Sequence, residues 1–187
     1  MCSSDLRVLV FDNHGFYPAL DAVERLARNG QQVTYVSPER TIGIDVGSMN
    51  SPAYLQVFSE FGVEVRLGER LTQKPRIEGK EIVALLRNDY SDRETELVTD
   101  AVVVDFGTTP NDEVYLELKS QSLNHGATDL EAWVRGRPQP DTGSGSGGTS
   151  TGAEARPEFA LYRIGDAVAS RNVHAAVLEG LRVGMAL

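Results

Sequence analysis

Arg7-Val8-Leu9-Val10-Phe11 is the stretch whose reading decides the fold. Its unbroken apolar run, with two β-branched residues and no polar alternation, describes a strand covered on both faces, as in a parallel sheet. The residues that follow supply a crossover. After the turn-forming Asp12-Asn13-His14-Gly15, Pro18 sits where a first helical turn tolerates it. Leu20, Val23, Leu26 and Ala27 then recur at helical spacing until Gly30 supplies the stop. Val33-Thr34-Tyr35-Val36 reads as a second strand. Ser51-Pro52 opens a second helix, striped by Tyr54, Leu55, Phe58 and Phe61 ahead of Gly62, and Val63-Glu64-Val65-Arg66 makes a third strand.

Such alternation predicts right-handed crossovers and the first half of a Rossmann-type sheet. The middle changes character. Pro75 to Ile77, Glu81 to Arg87 and Thr95 to Val98 are short segments separated by turn residues, which predicts an antiparallel meander. Ala101 to Gly107 returns to the buried-strand pattern, and Thr108-Thr109-Pro110-Asn111 leads into a short helix holding Val114, Leu116 and Leu118. The fold class is therefore α/β, a Rossmann-type parallel sheet with an antiparallel meander. Residues 7–134 form one dinucleotide-type domain. Residues 135–158, rich in Gly, Ser, Thr and Pro, read as a flexible linker too poor in apolar groups to offset ordering entropy. Residues 159–187 add a closing strand, Phe159 to Ile164, then Gly165-Asp166 and a helix from Asn172. Residues 1–6 read as a non-native terminus, because Cys-Ser-Ser-Asp-Leu resembles the translation of a sequencing adapter.

The chain has 187 residues, 41% of them hydrophobic, and a formal charge of -9. That acidity argues against nucleic acid and anionic membrane as partners, since polyanions are held by basic faces. Cys2 is the only cysteine, so the chain can form neither an internal disulfide nor its own iron–sulfur cluster. No apolar run approaches a bilayer-spanning length, and a soluble, cytoplasmic protein is expected.

Three segments carry a resemblance: Arg87-Asn88-Asp89-Tyr90; Val102-Val103-Val104-Asp105-Phe106-Gly107-Thr108-Thr109-Pro110-Asn111-Asp112-Glu113; and Ile164-Gly165-Asp166-Ala167-Val168-Ala169-Ser170-Arg171-Asn172-Val173-His174-Ala175-Ala176. They resemble the C-terminal part of flavin-dependent N-demethylases, the relatives of trimethylamine dehydrogenase, dimethylglycine demethylase and N-methylproline demethylase, within the NADH:flavin oxidoreductase superfamily. The resemblance implies the two-dinucleotide-fold flavoprotein architecture, with 159–187 an incomplete second, flavin-domain segment. It also implies an N-terminal β/α barrel carrying FMN and a 4Fe-4S cluster upstream, the other half of the flavin domain, and a small N-methylated amine as substrate of the intact enzyme. An electron-transfer partner protein and a homo-oligomer are further partners it leaves room for. No catalytic residue is expected in this chain.

By the same resemblance the cofactor contacts are Gly165, Asp166, Arg171, Asn172, Val173, His174 and Gly107, forming part of an FAD or ADP site. Asp166 would accept hydrogen bonds from ribityl hydroxyls, and the amides opening the last helix would face negative charge. Each has a plainer use: Asp166 as a turn cap, Asn172 as a helix cap, His174 as a structural residue, and Gly107 with Pro110 and Asn111 as an ordinary turn. Trp133, beside the linker, would cover an interface. The first turn departs from G-x-G-x-x-G: it keeps only Gly15, Pro18 lacks an amide donor, and Asp12 brings a carboxylate to the place of a pyrophosphate. NAD(P) binding is therefore expected to be weak or absent, unless a reshaped loop uses Asn13 and His14 as donors. Ser37-Pro38-Glu39-Arg40, after the second strand, reads as a solvated loop. The leading reading is a fragment of an N-demethylating flavoenzyme. The alternatives are a non-catalytic structural or subunit-interaction domain, and an NADPH-dependent dienoyl-CoA reductase, which would need the missing glycine loop.

Overall fold

The computed structural model describes residues 6–139 and 159–186. The adapter-like residues 1–5 and linker residues 140–158 lie outside them. Two compact units are present, Met1–Gly107 and Thr108–Leu187. Residues 108–134, read from sequence as part of the dinucleotide-type domain, fall in the second unit by their contacts.

In the first unit, β1 (Arg7–Asp12), β2 (Gln32–Ser37), β3 (Glu64–Leu67) and β8 (Ala101–Asp105) form a parallel sheet in the order β3-β2-β1-β8. Helices α1 (Tyr17–Arg28) and α2 (Ser51–Glu60) make the crossovers. A second sheet is antiparallel: β4 (Glu69–Leu71) and β5 (Arg76–Glu78) pair with the long β6 (Glu81–Asn88), as does β7 (Glu94–Thr99). The meander is thus as expected, with β4 added. Three residues between glycine and the Thr-Gln-Lys loop are too short to register as a strand until Leu71 is seen packing inward.

The two faces of β1 explain its unbroken apolar run. Val8 and Val10 pack with Leu20, Val23, Ala27 and Phe58 of the helices, whereas Leu9 and Phe11 pack with Ala84 and Leu86 of β6. Each side chain is removed from water, and each such burial contributes about 1.5–3 kcal/mol. Leu6 also packs on the helix-side core, and its carbonyl accepts the Gln32 N–H at 2.9 Å, so this member of the expected non-native terminus takes part in the fold.

The second unit contains α3 (Glu113–Leu118), α4 (Leu130–Val134) and α5 (Val173–Ala186). The closing strand expected at 159–164 is not a ladder strand, because no strand among the described residues lies beside it. One backbone bond, from the Leu123 N–H to the Phe159 carbonyl at 2.9 Å, and one side chain hold this segment instead. Asn124 donates from Nδ2 to the Leu161 carbonyl at 2.8 Å and accepts the Leu161 N–H at Oδ1, also at 2.8 Å. The amide thereby serves both polar groups of one residue, which would otherwise need a neighbouring strand.

Candidate functional site

Gly165 begins a single 3-10 turn, Gly165–Ala167, ahead of α5. Its φ is +59°, and an added Cβ would lie 3.2 Å from the Cβ of Ala176, so the close approach of turn to helix requires glycine. The turn is held from α5: Glu179 Oε2 accepts the buried Gly165 N–H at 2.7 Å, and Glu179 Oε1 pairs with Arg171. The Arg171 guanidinium, followed by the Gly165 amide, keeps the Glu179 carboxyl below the usual carboxylate range. One carboxylate therefore ties both ends of the 165–171 loop to the helix.

Asp166 is exposed, and its carboxylate has no hydrogen-bond partner among the described residues. Asn172 caps α5, its Oδ1 accepting the Ala175 N–H at 2.9 Å. The Val173 and His174 amides have no acceptor among the described residues, as the geometry of a helix start dictates. Asp166, Arg171, Asn172, Val173, Ala176 and Val177 line an open depression of about 270 Å³. His174 is exposed outside that lining. Six of the seven sequence candidates thus gather on one loop and helix start. Gly107 stands in the other unit, where its N–H donates to Asp105 Oδ1 at 2.9 Å and its backbone lies against the His14 ring.

A second concavity in this unit, about 250 Å³, is lined by Tyr115, Gly126, Thr128, Leu130, Trp133, Arg163, Val168 and Glu179. Arg163 lies over the Tyr115 ring, 4.8 Å from its centroid, and pairs with Asp112. Both concavities fall below the roughly 300–1,000 Å³ of complete small-molecule sites. Among the described residues no group of three or more His, Cys, Asp and Glu is placed to hold a metal, and no helix is long and apolar enough to cross a membrane.

The first unit carries a third arrangement, at the carboxyl ends of β1 and β8. Asp12, with none of its surface exposed, accepts the His14 and Gly15 amides at Oδ1 (3.0 and 2.7 Å) and the Tyr35 hydroxyl at Oδ2 (2.7 Å). Burial first, then the Asp12 bond, raises the Tyr35 pKa. Gly15 has a φ of +74°, and a Cβ there would meet Ile44 at 2.6 Å.

The sheet order, the helical crossovers and the packed antiparallel layer define a Rossmann-type α/β module of the kind found in flavoprotein reductases. Its relatives narrow that class. The chain is 37% identical over 94% of its length to a Rhizobium meliloti (strain 1021) protein named "Probable N-methylproline demethylase". It is 34% identical over 94% to an N,N-dimethylglycine/sarcosine dehydrogenase of Chromohalobacter salexigens. The chain spans about a quarter, 24%, of the length of each of these relatives. Histamine dehydrogenase from Rhizobium sp. 4-9 shares the fold, with a TM-score of 0.64 at 20% identity over 98% of this chain and 24% of that one. No family model matches the chain. The resemblance to flavin-dependent N-demethylases accordingly extends over nearly all of this sequence.

Sequence reasoning missed Glu179 and Asn124. Glu179 sits at the i+14 position from Gly165, a spacing that says nothing until the loop folds back. Asn124, in a turn beside His125 and Gly126, looks like any loop asparagine. Asp12 was singled out, but as a charge facing a ligand; its Asp-x-x-Gly spacing is the local signal that it binds its own backbone instead.

Proposed function

We propose that this chain is the C-terminal dinucleotide-fold region of a flavin-dependent oxidoreductase that demethylates a small N-methylated amine. The observation that carries the reading is identity of 37% and 34% over 94% of the chain to two proteins named for the oxidation or demethylation of N-methylated amino acids. The unbonded Asp166 carboxylate beside two open helix amides supports it locally. Residues 159–187 would form one edge of an FAD or ADP site, with residues 7–134 as a degenerate pyridine-nucleotide domain and the linker between them. FMN and the cluster belong to a barrel upstream of this region, and the other half of the flavin domain completes the site.

In such a site this chain would hold rather than react. Asp166 would accept the cofactor's hydroxyl protons in hydrogen bonds, and the Val173 and His174 amides at the positive end of α5 would face its negative charge. Gly165 lets the backbone come close, while Arg171, engaged by Glu179, shapes the loop. A bound flavin supplies the electron-accepting chemistry. The size of the 270 Å³ depression suits an edge of such a cofactor and not the whole.

The test is a chimera in which this chain replaces the matching quarter of the Rhizobium meliloti protein. Full flavin content and N-methylproline oxidation support the reading; a folded chimera devoid of flavin refutes it. A second reading, a structural or subunit-interaction role, is favoured for the first unit by the loop that Asp12 fills. A chimera that retains flavin and activity after Asp166→Ala would shift the balance to that reading.

A further inference from the structure

The β1–α1 turn lies where the sheet reverses the direction of its connections: β1 runs through α1 to β2 on one side, and β8 flanks it on the other. Open α/β sheets take dinucleotides in the crevice at such a point, with phosphate oxygens received by the amides of the first turn. Here two amides of that turn, those of His14 and Gly15, are already taken. Asp12 Oδ1 accepts both the His14 and Gly15 N–H groups, and Oδ2 accepts the Tyr35 hydroxyl, in a region where Asp12 and Tyr35 are both 0% exposed. A planar carboxylate offers these donors what a phosphate offers, a negative charge shared over more than one acceptor oxygen.

Side chains of the same unit border the turn. Asp12 and Asp105 are register partners at the ends of β1 and β8. His14 Nδ1 stands 3.5 Å from Asp105 Oδ1, and the His14 ring is close enough that a Cβ on Gly107 would be 3.3 Å from its Cδ2. Phe106 leans over Phe11 with ring centroids 5.6 Å apart. No part of this arrangement depends on the second unit or on the flavin reading.

We infer that Asp12 determines cofactor specificity in the first unit, excluding pyridine nucleotides by occupying their phosphate donors and not by repelling their charge. The two mechanisms separate experimentally. Repulsion ends when the charge is removed; occupancy ends only when the acceptor is removed. Asp12→Asn is neutral yet keeps an Oδ1 for both amides, and its Nδ2 can donate to the Tyr35 hydroxyl oxygen. Asp12→Gly empties the position.

The experiment is calorimetric titration of the 187-residue chain with NADH and with inorganic pyrophosphate, each variant first shown to be folded by far-UV circular dichroism. The wild-type chain and Asp12→Asn are expected to bind neither at millimolar concentration. Asp12→Gly is expected to bind pyrophosphate at least about tenfold more tightly than wild type. The double variant Asp12→Gly/Tyr35→Phe removes the orphaned hydroxyl together with its acceptor and stands in where the single variant does not fold. Submillimolar NADH binding by the wild-type chain overturns the inference. So does Asp12→Asn binding as well as Asp12→Gly, which would make charge the cause, and so does a folded glycine variant as blind to pyrophosphate as wild type.

Discussion

Replacing Asp12 by alanine and Tyr35 by phenylalanine, singly and together, measures how far the buried carboxylate organises the first unit. Tyr35→Phe removes one 2.7 Å bond to a carboxylate that keeps its two amide donors. A hydrogen bond to a charged group contributes about 1.5–3 kcal/mol, so a loss of about 2 kcal/mol is expected. Asp12→Ala is worse, because it strands donors that have no access to water: the Tyr35 hydroxyl and the Gly15 amide are both buried. At about 1–3 kcal/mol for each unsatisfied buried group, the loss is about 4 kcal/mol, a large share of the roughly 5–15 kcal/mol that holds a domain together. The double variant has no stranded hydroxyl. Its loss should therefore fall short of the sum of the single losses by about 2 kcal/mol, the coupling expected of residues sharing one polar network. Urea denaturation followed by far-UV circular dichroism gives the three differences. A double variant equal to the sum within about 0.5 kcal/mol would refute the claim that Tyr35 and Asp12 act as a unit.

Glu179→Ala strands the buried Gly165 amide and should cost about 1–2 kcal/mol in urea denaturation, whereas Glu179→Gln, which keeps an acceptor, should cost less. Because the folded Glu179 pKa is lowered, its contribution is present above the ordinary glutamate pKa of about 4.3 and is lost as pH falls through the folded value. The stability gap between wild type and Glu179→Gln should accordingly close on acidification below about pH 4, and a gap that widens there would refute the assignment. Gly165→Ala combines a φ of +59° with a 3.2 Å approach to Ala176 and should destabilise the second unit by about 1–2 kcal/mol; thermal unfolding unchanged from wild type would contradict the tight packing of the turn. In an alkaline titration read by tyrosinate absorbance, Tyr54, buried in part and bonded to Asp21, should ionise near its raised pKa of about 12, and Tyr35 should be later still. Since the unfolded tyrosine ionises near pH 10, the stability held by Tyr35 should fall as pH rises above that point, and Tyr35→Phe should flatten the fall.

The frame of the first unit was legible because its signals are local. The apolar run at Val8 to Phe11, the helical spacing of Leu20 and Val23, and Gly30 as a stop each depend on neighbours in sequence. Failures came where the deciding partner is remote. The mainly apolar run of Phe159 to Ile164 is that of a strand, but a strand is a relation to a neighbour, and the neighbour that serves Leu161 is the Asn124 amide, 37 residues away. In the candidate site, six residues lay together because they are close in sequence, and Gly107 did not. The charge on Asp12 was visible; the direction in which its oxygens point was not, since that depends on Tyr35 arriving from β2.

Trp133 is the chain's single tryptophan, and it lies in the second unit. Indole emission is therefore a witness seated in the second unit, where Trp133 shares a concavity with Tyr115, Arg163, Val168 and Glu179. A fluorescence midpoint that disagrees with a dichroism midpoint would be the mark of two halves melting separately.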